Sequence, residues 1–138
     1  MSESLSLCMN QKIKKASRKA LVAKLDNIFS IYIRLLTKRE YGPYCPFCHK
    51  QPISCCFHFV TRSKHIVRWD RMNAIGSCFG CNYKNEFNPH PFVQWYLKKY
   101  GQDEYDKLLF KSNQIAKFDR SDLEDLYKDI KSRIEYIK

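Results

Sequence analysis

Two Cys-x-x-Cys pairs constrain this chain more than any other feature: Cys45-Pro46-Phe47-Cys48 and Cys78-Phe79-Gly80-Cys81, with 29 residues between them. Each pair presents two sulfurs from one tight backbone loop, and a zinc ion held by four thiolates at about 2.3 Å needs two such loops. The spacing therefore predicts one closed structural site that pins the intervening segment against whatever follows the second pair. A thioredoxin-like redox role is the competing reading of a Cys-x-x-Cys, but no βαβ pattern surrounds either pair. His49 is an alternative fourth ligand. Cys55 and Cys56 are neighbours in a β-prone run, so they face opposite ways and do not share one metal. Cys8 reads as a free thiol.

The remaining periodicities place elements around that site. Leu21, Leu25, Ile28, Phe29, Tyr32, Leu35 and Leu36 recur at three- and four-residue steps, as one face of a helix over residues 12–39 requires. Tyr41-Gly42-Pro43 stops it. Residues 53–60 (ISCCFHFV) read as a strand, residues 61–64 as a turn and residues 66–69 as the returning strand of a hairpin. Beyond the breaker Asn88-Pro89-His90-Pro91, the residues Phe92, Trp95, Tyr96 and Tyr100 follow helical spacing up to Gly101. Residues 103–111 form a short helix. Ser121-Asp122-Leu123-Glu124 has the pattern of a capping box, and Leu123, Leu126, Tyr127, Ile130, Ile134 and Ile137 continue it to the end. The expected fold is α+β: a small zinc-stabilised treble-clef (ββα-metal) core over residues 41–101, a basic helix over residues 1–40 before it, and helices over residues 102–138 packed on it.

Charge bears on partners. The 138 residues carry 25 Lys plus Arg against 14 Asp plus Glu, a formal net charge of +11. The excess is uneven: residues 1–39 hold 9 basic and 2 acidic side chains, residues 40–100 hold 8 and 3, and residues 101–138 hold 8 and 9. A basic face for a polyanion is implied, with Lys14, Lys15, Arg18 and Lys19 on the first helix and Arg62, Lys64, Arg68 and Arg71 around the hairpin as candidate phosphate contacts. Solvated surface charge is the plainer account of the same residues, and a basic amphipathic helix also suits an anionic membrane surface. No apolar run approaches the roughly 18 residues needed to span a bilayer, and the first residues lack the pattern of a signal peptide. Seven cysteines without an export signal suggest thiolate chemistry in a reducing, cytoplasmic compartment.

Between and just after the knuckles stand His58, Asn73 and Asn82. Singly, each is an ordinary strand or turn residue; in that order around a metal-pinned hairpin and helix, they have the spacing of the HNH nucleases, in the variant whose last histidine is asparagine. The run from residue 45 to about residue 105 resembles the NinG (Rap) family of phage recombination proteins. The resemblance is carried by CPFC, by HFVTR from His58, by VRWDRMN ending at Asn73, by CFGCN ending at Asn82, by Asn88 and by YGQDEYDKL ending at Leu108. The upstream FSIYIRLLTKRE is similar to the helix that precedes the first knuckle in that family, so the likeness covers roughly residues 25–110.

The resemblance implies a His-Me finger fold and a structure-specific endonuclease for branched double-stranded DNA such as Holliday junctions and D-loops, acting in the cytoplasm of a bacterial host. It implies His58 as general base, Asn73 as the residue that fixes the loop orienting it, and Asn82 as a ligand of a catalytic Mg²⁺ or Mn²⁺ separate from the structural Zn²⁺. The near-twofold symmetry of a four-way junction suggests a homodimer. One position departs from the pattern: many HNH enzymes have Asp or His immediately before the base, and this chain has Phe57. Asp70 and Glu86 are the candidates to complete the shell, Glu86 lying four residues beyond Asn82. The rival functions are a non-catalytic zinc module that binds DNA or RNA, and a zinc-stabilised adaptor for other proteins. Trp69 and Trp95 are expected in the core rather than as stacking platforms.

Overall fold

The computed structural model describes residues 17–115 and 117–138. Helix α1 (Arg18–Tyr41) starts where the Ser17 hydroxyl accepts the Ala20 N–H at 3.1 Å, and it buries Leu25, Phe29, Tyr32, Ile33 and Thr37 along one face. It ends at Gly42, whose φ of 89° is open to glycine and whose N–H donates to the Lys38 carbonyl at 2.9 Å. The expected first turns at residues 12–16 lie outside the described residues, as do Lys14, Lys15 and Cys8.

The sheet has two antiparallel strands, β1 (Cys55–His58) and β2 (Ala74–Ser77), paired Cys55 to Ser77, Cys56 to Gly76, Phe57 to Ile75 and His58 to Ala74. The returning strand expected at residues 66–69 is not one. That segment is a single helical turn, α2 (His65–Arg68), followed by a 3₁₀ turn (Arg71–Asn73). Its β-branched residues Ile66 and Val67 suit a strand locally, but Val67 is wholly buried against Tyr96 and Leu108, and Trp69 is anchored to α1. Tertiary burial overrides the local preference. The strand that does pair, Ala-Ile-Gly-Ser, is weakly β-prone by itself and is selected by fit. A Cβ on Gly76 would lie 2.8 Å from a side-chain carbon of Ile53 and 3.1 Å from Thr37, so only glycine lets α1 approach β2 this closely. The Gly76 N–H donates to the Thr37 hydroxyl at 2.8 Å, and that hydroxyl donates on to the Ile33 carbonyl at 2.8 Å.

Helix α3 (Phe79–Lys84) carries the second knuckle, and α4 (His90–Tyr100) and α5 (Gln102–Ser112) follow, separated by Gly101 at φ 91°. The last helix, α6 (Arg120–Ile137), is capped two residues earlier than its sequence pattern suggests: Asp119 and Asp122, rather than Ser121 and Glu124, form the reciprocal box, at 2.8 and 3.0 Å. Leu123, Ile130 and Ile134 of α6 pack with Leu25, Phe29, Tyr32 and Ile33 of α1 and with Trp69. A second cluster, Phe57, Ile75 and Phe92 with Phe47 and Trp95 against it, fills the opposite face of the sheet. The molecule is thus α+β, with the sheet between the α1–α6 pair on one side and the knuckles with α4 on the other.

Candidate functional site

The first knuckle closes on itself. The Cys45 N–H donates to the Gln51 carbonyl at 2.7 Å and the His49 N–H to the Cys45 carbonyl at 2.8 Å, while His49 turns the chain with a φ of 59°. At the second, Cys78 is the N-cap of α3, and its sulfur accepts the Cys81 N–H at 3.4 Å. The ligand atoms of Cys45, Cys48, Cys78 and Cys81 all lie within 4.8 Å of one another. A tetrahedron with zinc–sulfur bonds of about 2.3 Å has sulfur–sulfur edges of about 3.8 Å, and the Cys48 and Cys78 sulfurs stand 3.8 Å apart. The donor set and its spacing fit a structural zinc ion. Backbone N–H groups of Lys50 and Gln51 bring the Cys48 thiol down to about 6, whereas burial pushes Cys78 and Cys81 up. Four sulfurs held this close are stable as thiolates only around a cation. The four cysteines complete the set, and exposed His49 is a turn residue rather than a ligand.

Strand alternation decides the next layer. Phe57 has no exposed surface and its ring packs at a tilt against Phe47 and Phe92, with centroids 4.8 and 5.0 Å away, so it belongs to the core behind the knuckle. A carboxylate at that position would be buried among aromatic rings, which explains why no acid precedes His58. His58 faces the other way, 6.1 Å from the Phe29 ring. Its Nε2 lies 2.9 Å from the Arg68 carbonyl, and because a carbonyl only accepts, Nε2 carries the proton and Nδ1 keeps its lone pair. Burial lowers the imidazole pKa, the nearby Arg62 charge lowers it further, and the Arg68 hydrogen bond opposes both. The ring is neutral near physiological pH.

Asn73 is wholly buried and holds the loop that bounds this histidine. Its side-chain oxygen accepts the Val60 N–H at 2.7 Å, and its amide nitrogen donates to the carbonyls of Val60 and Val67, each at 3.0 Å. All the amide's strong bonds are spent on residues 60–67. His58, Arg62, Asn82 and Glu86 then line one groove of about 570 Å³, together with Cys56, Phe59, Thr61, Asn85 and Pro89. Burial raises the Cys56 thiol to about 12, so it stays protonated there.

Other expected positions lie elsewhere. Arg68 is not a phosphate clamp: its guanidinium, 15% exposed, makes a two-pronged ion pair with Asp26 of α1, through Nε to Oδ1 at 2.8 Å and through Nη2 to Oδ2. Asp70 accepts the Met72 N–H at 2.9 Å and pairs with Lys111 at 2.7 Å, lining a separate cleft with Arg71, so neither reaches the His58 groove. Arg18 is exposed and donates to the Phe118 carbonyl; Lys19 and Lys64 are exposed. Two contributors escape sequence reasoning. Asn85 donates to the His58 carbonyl at 3.1 Å, one turn beyond Asn82. Asp26 also accepts the Trp69 indole N–H at 2.9 Å; burial raises its pKa, but the bonds from Arg68 and Trp69 outweigh that and hold the carboxyl below its ordinary range. The hint was there: Asp26 is the one acid before the last turn of a helix otherwise rich in lysine and arginine.

No family model, no curated protein and no solved structure matches this chain. What fold and site define is an α+β chain with a four-cysteine cluster suited to a structural zinc ion, and with a polar groove built around a neutral histidine beside it. Among the described residues, no helix is long and apolar enough to cross a membrane.

Proposed function

We propose that the chain is a metal-dependent endonuclease of the His-Me finger type that cleaves branched DNA. One observation carries this reading: His58, Arg62, Asn82 and Glu86, scattered over 29 residues of sequence, line one groove, and Asn82 directly follows Cys81 of the cysteine cluster. The order of parts also suits a treble-clef: a knuckle, two antiparallel strands, and a helix whose first turn carries the second knuckle.

In this reading His58 is the general base. Nδ1 takes a proton from the water whose oxygen attacks phosphorus, while Nε2 stays tied to the Arg68 carbonyl and fixes the ring plane. Arg62 binds the phosphate, and Asn73 keeps residues 60–67 from collapsing onto the base. Asn82 and Glu86 offer one amide and one carboxylate oxygen, a hard donor pair suited to Mg²⁺ or Mn²⁺, which when bound would stabilise charge on the phosphate and the leaving oxygen. A homodimer would present two such grooves to a near-symmetric junction.

The buried Phe57 favours a second reading, a zinc module that binds DNA or RNA without cutting it, because it removes a common metal ligand. Labelled four-way junctions and linear duplexes incubated with Mg²⁺ or Mn²⁺ separate the two. Junction cleavage by the unmodified chain, falling roughly 100-fold in His58→Ala with zinc content unchanged, supports the nuclease. Binding without cleavage leaves the module.

A further inference from the structure

Three aromatic side chains at four-residue steps stand in solvent on the segment that lines the groove. Phe79 is 69% exposed, Tyr83 54% and Phe87 65%. They touch one another: the rings of Phe79 and Tyr83 are parallel to within 8° at 6.2 Å, and Phe87 stands edge-on to Tyr83 at 4.8 Å. Surface hydrophobics scattered singly are ordinary, but three in contact on one face have a use or a cost. The backbone beneath them is fixed, since the N–H groups of Glu86 and Phe87 donate to the carbonyls of Tyr83 and Lys84 at 3.1 and 3.3 Å, and the Asn88 N–H donates to that of Lys84 at 3.0 Å. Interleaved with the rings are Asn82, Asn85 and Glu86, which line the His58 groove.

We infer that Phe79, Tyr83 and Phe87 form a stacking platform for unpaired bases of a DNA strand whose backbone runs into the groove. This inference rests on the nuclease reading and deepens it by naming what marks a branched substrate. Base faces stack on aromatic rings whatever their identity, and a platform for them needs flat exposed rings beside cationic and polar groups that follow the backbone. The surroundings have that character: Lys84 is exposed between the rings, Arg62 lines the adjoining groove, Lys64 is exposed two residues on, and residues 40–100 hold 8 basic against 3 acidic side chains. A strand that is fully paired keeps its bases stacked on one another and has nothing to lay on the rings. A branch point offers unstacked bases at low cost, and the platform would discriminate on that difference.

The test measures affinity in buffer without added Mg²⁺ or Mn²⁺, so it reads binding whether or not the chain cuts. The probes are a fluorescent fully paired duplex and the same duplex with a single-stranded thymidine arm of about ten nucleotides, a length within the usual site size of such surfaces. The unmodified chain should prefer the armed duplex. Replacing Phe79, Tyr83 and Phe87 together by serine should weaken the armed complex by at least about 10-fold and leave the paired duplex unchanged. The single change Tyr83→Trp should keep the preference. Zinc content and circular dichroism confirm that the exposed substitutions leave the fold in place. Equal affinity of the unmodified chain for both probes overturns the inference, as does a triple variant that keeps the preference. A triple variant whose only change is loss of self-association in sedimentation also overturns it, since the rings would then be a contact between copies. A chain that never cleaves DNA yet shows the ring-dependent preference would overturn the nuclease reading and leave the platform standing.

Discussion

The two faces of the small sheet are held by different physics. Behind Phe57 and Ile75, the rings of Phe47, Phe92 and Trp95 pack beside four cysteines whose spacing suits a cross-link through a zinc ion. In front of Cys56 and Ala74, α1 and α6 pack long aliphatic faces that need no cross-link. His58 stands on the second face, at the strand end beside the first, and draws its neighbours from both halves: Phe29 from the helix pair, Asn82 from the knuckle helix and Glu86 from the turn after it. Small domains without a large core use metal in place of apolar area. Here one half has a cysteine cluster suited to the first device and the other has the apolar area of a helix pair, and the candidate groove lies where they meet.

The sharpest way to break that comparison is to remove the metal from one side. Chelation, or Cys45→Ser, should unfold the knuckle half, because structural zinc contributes on the order of 10 kcal/mol in such sites. Trp95 emission should shift to the red while much of the helical circular dichroism from α1 and α6 persists. Simultaneous loss of both signals would mean that the halves fold as one unit. Truncating the other side should have a smaller effect: Leu123→Ala, at a position with no exposed surface, should lower unfolding stability by about 2–5 kcal/mol with zinc still bound. Zinc loss from that variant would contradict the division.

The link between the halves comes next. Asp26→Ala strips Arg68 and Trp69 of their shared acceptor and should destabilise by about 2 kcal/mol, a figure discounted for partial exposure of the pair. Under the nuclease reading it should also slow cleavage, because the Arg68 carbonyl sets the His58 ring; Asp26→Glu should restore stability only in part. Unchanged melting of Asp26→Ala would show that the ion pair holds nothing.

The smallest effect is a pH dependence. The folded His58 pKa lies below its ordinary 6.5, so the unfolded chain binds the proton first. Stability attributable to neutral His58 is therefore fully present above about pH 6.5 and is lost as pH falls through the lower folded value. A His58→Gln variant should show a flatter acid limb than the parent between those values, and parallel curves would place the titration on another group.

Much of the frame was legible in local pattern. The burial of Leu25 and Phe29 follows from their four-residue step, that of Leu123, Ile130 and Ile134 from theirs, and the joining of Cys45, Cys48, Cys78 and Cys81 from two short spacings. Those signals are local because a helix face and a knuckle each repeat within a few residues. The second strand was not legible. Ile66 and Val67 look more β-prone than Ala74 and Ile75, and the choice between them rests on Gly76 fitting under Thr37 and on Trp69 reaching Asp26, contacts that span 39 and 43 residues.

The same limit applies to the groove. By itself the sequence determined which side chains carry chemistry: four thiols at metal spacing, one histidine at the end of a strand, and an excess of cations in the first two thirds. Tertiary structure decided which of them meet. It withdrew Arg68 into an ion pair, sent Asp70 and Arg71 to another cleft, turned Phe57 into the core and brought Glu86 and Asn85 to His58. The physical reason is that side-chain type and short-range period are written residue by residue, whereas pairing register and burial are settled by contacts between segments that are remote along the chain.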